Sequence, residues 1–128
     1  MPAIAQLLRA EGHEVHDDWF SAGKRADEEW QAHQQFKGLT LRQALRGPHA
    51  RAVLREDDQW LHWCDTVVVI RPGRSAFIEM GVAVGRGREA YVYYTDGEPE
   101  RWDAMLGYAE DVVYTLDDLV AALRQEKA

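Results

Sequence analysis

Two acidic residues fall where helical periodicity expects apolar ones. Between Pro48 and about Trp63 the apolar residues Val53, Leu54, Trp60, Leu61 and Cys64 recur at helical spacing. Asp57 stands among them, four residues after Val53, three before Trp60 and four before Leu61. From about Ser75 to Gly85 the stripe is Ala76, Met80, Ala83 and Val84. Glu79 stands three after Ala76 and four before Ala83. Both carboxylates are therefore expected on the inward side of their helices. A buried, unpaired carboxylate costs several kcal/mol, so such a group is either paired or functional. For one acid alone, a satisfied buried carboxylate or a stripe edge reaching solvent explains the position equally well. Two acids on consecutive helices flanking one apolar run point to shared chemistry. Glu79 also lies near the start of its helix, where the dipole favours the ionised form. That is the state required of a carboxylate nucleophile.

The turn before Glu79 reads Arg71-Pro72-Gly73-Arg74, followed by Ser75. Backbone N–H groups of Gly73, Arg74 and Ser75 at a helix start suit an anion such as a phosphate. A plain Pro-Gly turn with Ser75 as N-cap is the simpler alternative, of equal weight. Other candidates carry less. His13, His16, His33, His49 and His62 show no metal-ligand spacing. Cys64 lies on an apolar stripe, as core cysteines do. Gly81, Gly85 and Gly87 follow a helix start, whereas a dinucleotide-binding loop precedes one. The aromatics of 91–94 read as strand core.

The elements that must position these residues alternate. Residues 3–10 read as a helix with Ile4, Leu7 and Leu8 on one face and Gly12 as a stop. His13–Asp17 reads as a short strand. Residues 18–47 are polar, with Trp19, Phe20, Trp30 and Phe36 spread among charges, and read as a flap containing one or two short helices. Pro48 opens the Asp57 helix. Thr66–Ile70 (TVVVI) is a continuous apolar run, the mark of a strand buried on both faces. After the Glu79 helix come a strand at Ala90–Tyr94, a turn at Asp96-Gly97, a helix over residues 99–108 and a strand at Asp111–Tyr114. Thr115 and Asp118 form a capping box for a last helix with Leu116, Leu119, Val120 and Leu123 on one face. Strands alternating with helices predict an α/β fold with a mainly parallel sheet. Ligands in such folds bind beyond the carboxyl ends of the strands, where residues 71–75 lie.

The whole chain fits one domain: 128 residues, 46% apolar and 29% charged, are those of an ordinary globular protein. A net charge of −7 without any basic stretch argues against duplex nucleic acid and anionic membrane as partners. Free nucleotides need only local positive charge and remain compatible. Cys64, the single cysteine, cannot form an internal disulfide, which fits a reducing cytoplasm. No apolar run approaches the ~20 residues of a membrane span. The N-terminus MPAIAQLLRAEGHE has no cationic start followed by a signal core.

The run CDTVVVIRPGRSAFIEMGVAVGRGREAYVYY resembles the core of nucleoside 2-deoxyribosyltransferase-like proteins: an Asp entering a buried strand, a Gly/Ser loop, then Glu-x-Gly-x-Ala on a helix. Here that motif is Glu79-Met80-Gly81-Val82-Ala83. The tail EPERWDAMLGYAEDVVYTLDDL is similar to that of small bacterial and phage members. The resemblance covers roughly residues 4–123 and implies that Glu79 is the nucleophile. It also implies that Asp57, eight residues before Asp65, is the second carboxylate. Gly73 stands where classical transferases carry an Asp that holds the sugar 5′-hydroxyl. Arg74 and Ser75 lean instead towards the phosphate-binding loop of related nucleotide N-glycoside hydrolases.

The expectation is a three-layer, flavodoxin- or Rossmann-like fold, with four strands in a mainly parallel sheet and helices on both faces. By the resemblance, the family's N-terminal strand is missing from this sequence, and its place beside TVVVI must be filled. Direct pairing of His13–Asp17 with Thr66–Ile70 needs no extra material. The alternatives are a segment of another chain or a longer natural N-terminus. The implied function is transfer or hydrolysis of the N-glycosidic bond of a nucleoside or its 5′-monophosphate through a glycosyl-enzyme. Glu79 would attack, Asp57 would serve the departing base, and Gly73, Arg74, Ser75 and Trp19 would bind substrate. Neither metal nor organic cofactor is required. The resemblance and the aromatics Trp19, Trp30 and Trp102 imply a homodimer. The rival from another class is a non-catalytic nucleotide-binding or interaction module on the same fold.

Overall fold

The computed structural model describes residues 2–16 and 26–127. Six α-helices are placed: α1 (Pro2–Ala10), α2 (Ala26–Phe36), α3 (Leu41–Leu45), α4 (Pro48–Trp63), α5 (Arg74–Gly85) and α6 (Leu116–Lys127). Three strands accompany them, β1 (Thr66–Ile70), β2 (Glu89–Tyr93) and β3 (Asp111–Val113), with a 3-10 helix at Ala104–Tyr108. The fold is α/β, and the strands form an open parallel sheet in the order β1-β2-β3. Val68 lies opposite Tyr91, and Val92 opposite Val112.

Local chemistry explains the boundaries. Gly47 and Pro48 open α4, Pro at N1 giving up only an N–H that a helix start cannot satisfy. Thr40 and Gln43 cap α3 reciprocally. Gly12 (φ 95°) and Gly87 (φ 79°) occupy the left-handed region where α1 and α5 end. The N–H of the next residue then reaches back five positions, His13 to Leu8 at 3.1 Å and Arg88 to Ala83 at 2.9 Å. Thr115 Oγ1 accepts the N–H of Asp118 at the start of α6.

Alternate strand residues feed two apolar clusters. Tyr91, Tyr93 and Val113 pack with Leu8 of α1 and Leu119 and Leu123 of α6. Val69, Ala90 and Val92 pack with Met80 of α5, joined by Phe77, Val84 and Leu106. Arg124 of α6 grips Glu11 after α1 with bonds of 2.7–2.9 Å, closing the first cluster from outside.

Two sequence expectations are corrected here. Among the described residues the sheet has three strands, not four: His13–His16 forms no ladder, and Asp17 lies outside the described residues. The segment offers one apolar side chain, Val15, which packs into the first cluster. Its carbonyl accepts from Arg9 at 2.8 Å, and His16 stacks on Trp60 of α4 at 3.6 Å. So His13–His16 forms no ladder with Thr66–Ile70, and β1 is an end strand of the described sheet. The helix expected over residues 99–108 is confined to the single 3-10 turn at Ala104–Tyr108, which begins where Asp103 accepts the N–H of Met105 at 2.9 Å.

Candidate active site

Asp57 lies on the third turn of α4 and Glu79 on the second turn of α5, and the two helices pack against each other. The side chains meet there: the Asp57 and Glu79 carboxyls are hydrogen-bonded, and both residues are half-buried. Burial pushes the Glu79 carboxyl up, and the hydrogen bond and negative charge of Asp57 push it further, from 4.5 to about 8. Near neutral pH the pair therefore holds on to a proton between its two carboxyls. The upward direction runs against the expectation of an ionised Glu79. As the sixth residue of α5 it lies beyond the first turn, within which the dipole is felt. Desolvation and a like charge dominate there.

The surroundings of the pair depart from the expected stripe. Ala50 and Leu61 of α4 are buried, but Val53 and Leu54 are 53% and 59% exposed. On α5, Ile78 beside Glu79 is 70% exposed. Apolar side chains open to solvent thus lie near the acids on both helices, while Ala83, one turn after Glu79 on its own face, is buried. Asp58 and Arg86 form an ion pair that ties α4 to α5 beside the acids. Arg88 pins the far end of α4: its guanidinium donates to the carbonyls of His62 (2.9 Å), Cys64 (3.2 Å) and Arg86 (2.9 Å). Nothing in the sequence pattern singles out Arg88, because its partners are backbone atoms.

The loop expected to meet an anion is the start of α5. Gly73, not Ser75, is the N-cap of α5, and it makes no side-chain cap bond. Its backbone is extended, and space is open where a Cβ would project. Phe77 closes the first helical bond, to the Gly73 carbonyl, at 3.0 Å. The N–H groups of Arg74, Ser75 and Ala76 precede that bond and face the helix's positive end. Arg74 and Ser75 are exposed. Ser75 stands one turn before Glu79, on the same face of α5. Arg71, just before the turn, holds φ 44°, a strained conformation for a non-glycine residue, and sets the chain's exit from β1. Trp19 lies outside the described residues.

Cys64 donates to the Leu61 carbonyl, and its thiol is pushed up by burial, which suits a packing residue. A cavity of about 260 Å³ runs along β3 and α6, lined by Asp111, Tyr114 and Asp118 among others; it shares no residue with the acid pair. Among the described residues no three His, Cys, Asp or Glu side chains are grouped to hold a metal ion, and no helix is long and apolar enough to cross a membrane. Set against models of known families and against curated proteins, the chain matches none.

Proposed function

We propose that the protein transfers or hydrolyses the N-glycosidic bond of a nucleoside 5′-monophosphate, with Glu79 as nucleophile and Asp57 as its proton partner. The observation that carries this reading is the hydrogen-bonded, half-buried pair of carboxyls between α4 and α5. The proton on the pair is the one a departing base needs. In the reaction it passes from Glu79 to Asp57 and on to the base as the bond from the anomeric carbon to nitrogen breaks. The bonding electrons leave with the base. Glu79, now a carboxylate, bonds to the anomeric carbon. Water or a second base then attacks that carbon and displaces Glu79, and the incoming group's proton returns to the pair. This is the two-step logic of retaining glycosidases.

The start of α5 supports the phosphate part. Glu79 follows Arg74 by five residues, about 7.5 Å of helix, so a phosphate at the helix start leaves the sugar over Glu79. The exposed Val53, Leu54 and Ile78 offer apolar surface to a base. On this reading the sheet is the core of a three-layer Rossmann-like arrangement, and the protein acts as a cytoplasmic homodimer.

The test is incubation with a panel of nucleosides and their 5′-monophosphates, scored for free base. Release by the unaltered chain, abolished in Glu79→Gln and strongly reduced in Asp57→Asn, is the expected result. Release that survives Glu79→Gln overturns the assignment. Equal affinity for nucleoside and monophosphate removes the phosphate claim alone. A non-catalytic nucleotide-binding module is the second reading. It is favoured by the Asp58–Arg86 tie, which shows that polar contacts also serve simply to hold this helix seam. Monophosphate binding without any base release selects it.

A further inference from the structure

Three exposed strips share one outer surface. On α5 the buried Met80 and Ala83 turn to the sheet, and the opposite row, Ile78, Gly81 and Gly85, is exposed. A Cβ on Gly81 or Gly85 would meet no heavy atom within 4 Å. α4 holds one flank of α5, through Asp57 to Glu79 and Asp58 to Arg86. Phe77 and Val84 lie on the other flank, and they share an apolar cluster with Leu106 and Ala109. The outer layer thus runs from α4 across α5 to the 3-10 turn.

The two flanks carry opposite charge. On α4, Arg51 and Arg55 share a helical row with Asp58, the residue that reaches α5. Both are exposed, and neither forms an ion pair among the described residues. On the other flank Asp103, Leu106 and Ala109 turn inward at a spacing of three. Trp102, Met105 and Tyr108 therefore form an outer row, 74%, 59% and 65% exposed. Glu98 and Glu100 lead into it, exposed and likewise without an ion pair among the described residues. Apolar patches with a charged rim mark interaction sites. Both charged sets lie towards the carboxyl ends of the strands. α4 runs down to the start of β1, which leaves Arg51 and Arg55 at the far end. Burial pushes the Tyr94 hydroxyl up, and Tyr114 and Asp103 push it further, which places Asp103 beside the end of β2.

We propose that this surface binds the same surface of a second copy of the chain, about a two-fold axis lying in the layer at Gly81. An axis directed along α5 exchanges the flanks. Arg51 and Arg55 of each copy meet Trp102, Glu98 and Glu100 of the other, guanidinium against indole and carboxylate. Gly81 meets Gly81, and the absent side chains let the two α5 helices approach closely. Crossing at about 50° splays the two Arg74 ends, each about 10.5 Å along its helix from the crossing. Each flank meets its complement twice, so the contact closes at two copies. Ile78 lies on the same row, so the second copy also walls the apolar side offered to a base. The proposal rests on the homodimer of the proposed function and not on its glycosidic chemistry.

Sedimentation equilibrium on the full chain across the micromolar range, beside the base-release assay, tests this. The unaltered chain should dimerise and grow no further. Arg51→Glu with Arg55→Glu should weaken the dimer about tenfold, as should Glu98→Arg with Glu100→Arg. The four changes together should restore it. Trp102→Ala should weaken it by about tenfold as well. Gly81→Leu puts a side chain on the axis and should leave a monomer. Leucine favours a helix over glycine, and circular dichroism checks the folding of each variant. A monomer throughout for the unaltered chain overturns the proposal, as do assemblies that grow beyond two with concentration. So does a dimer that survives Gly81→Leu and both charge reversals. A monomer that releases base sinks this surface alone; a dimer weakened as expected but without base release upholds it and sinks the chemistry.

Discussion

The α1/α6 side of the sheet and the α4–α5 seam are built on opposite principles. On the first, Leu119 is fully buried, Leu8 and Leu123 nearly so, and Tyr91 and Tyr93 complete a dry cluster. On the second, an acid pair, an ion pair and the Arg88 guanidinium hold two helices together, while Val53, Leu54 and Ile78 face solvent. A protein under selection for stability alone would reverse that assignment, with apolar groups inside the seam and carboxyls outside. The difference teaches that the seam gives up apolar packing for polar contacts, which on the proposed reading serve chemistry, and that the α1/α6 face holds the drier core.

Core truncation tests the contrast most severely. Leu119→Ala should cost about 3 kcal/mol, as fully buried leucines do. Leu54→Ala, the same change at an exposed site of the seam, should stay within about 0.5 kcal/mol. Urea titration of both variants measures the gap, and equal losses would erase the contrast. Next in size is Arg88→Ala, which frees three carbonyls and should cost about 2 kcal/mol. Arg88→Lys should recover little of it, because an ammonium lacks the fork that spans separate acceptors.

Glu79 is predicted to act in the opposite direction. Its carboxyl in the folded chain titrates at about 8 against an ordinary 4.5, so the folded state binds the proton more tightly. The stability this confers is full below about pH 4.5 and is lost as pH rises through 8. Glu79→Gln should therefore be more stable than the parent at pH 8, by of order 1 kcal/mol once solvent screening of a half-exposed group is allowed. The two should converge at pH 4. Thermal melts at both values check the sign; a destabilised Glu79→Gln at pH 8 would make the seam an ordinary structural contact. The smallest stability effect belongs to Gly73→Ala. The site has a negative φ and open space, so the cost should be under about 1 kcal/mol. On the proposed reading monophosphate affinity should nonetheless fall, read by calorimetry, because a methyl would stand in the open space where the phosphate is placed.

Much of the frame was legible because it rests on periodicity and punctuation. TVVVI reads as a strand, Pro48 as a helix start and Thr115 as a cap, and each stands at or within a residue of its expected place. The positions of Asp57 and Glu79 among apolar residues foretold that they meet. Their protonation was not legible, since it depends on the distance between two helices and on the desolvation of the pair, neither of which spacing encodes. Val53 and Leu54 mislead for a related reason: periodicity marks a face but not whether anything covers it. His13–His16 was overread as a strand because a single valine among polar residues fits an extended loop as well as a ladder. Arg88 escaped notice because an arginine that binds carbonyls leaves no pattern in side-chain types.

The clamp formed by Arg88 makes α4 a lever. Its C-terminal end, at His62 and Cys64, is fixed to the backbone beyond α5, while its N-terminal half carries exposed leucine and valine. Asp57 lies about 9 Å along the helix from that pivot. A tilt of about 6° there displaces the Asp57 carboxyl by about 1 Å, enough to stretch a hydrogen bond beyond its useful range. A tilt large enough to strain the Asp58–Arg86 pair as well would thus be read out as proton affinity on Glu79, with the guanidinium as the fulcrum.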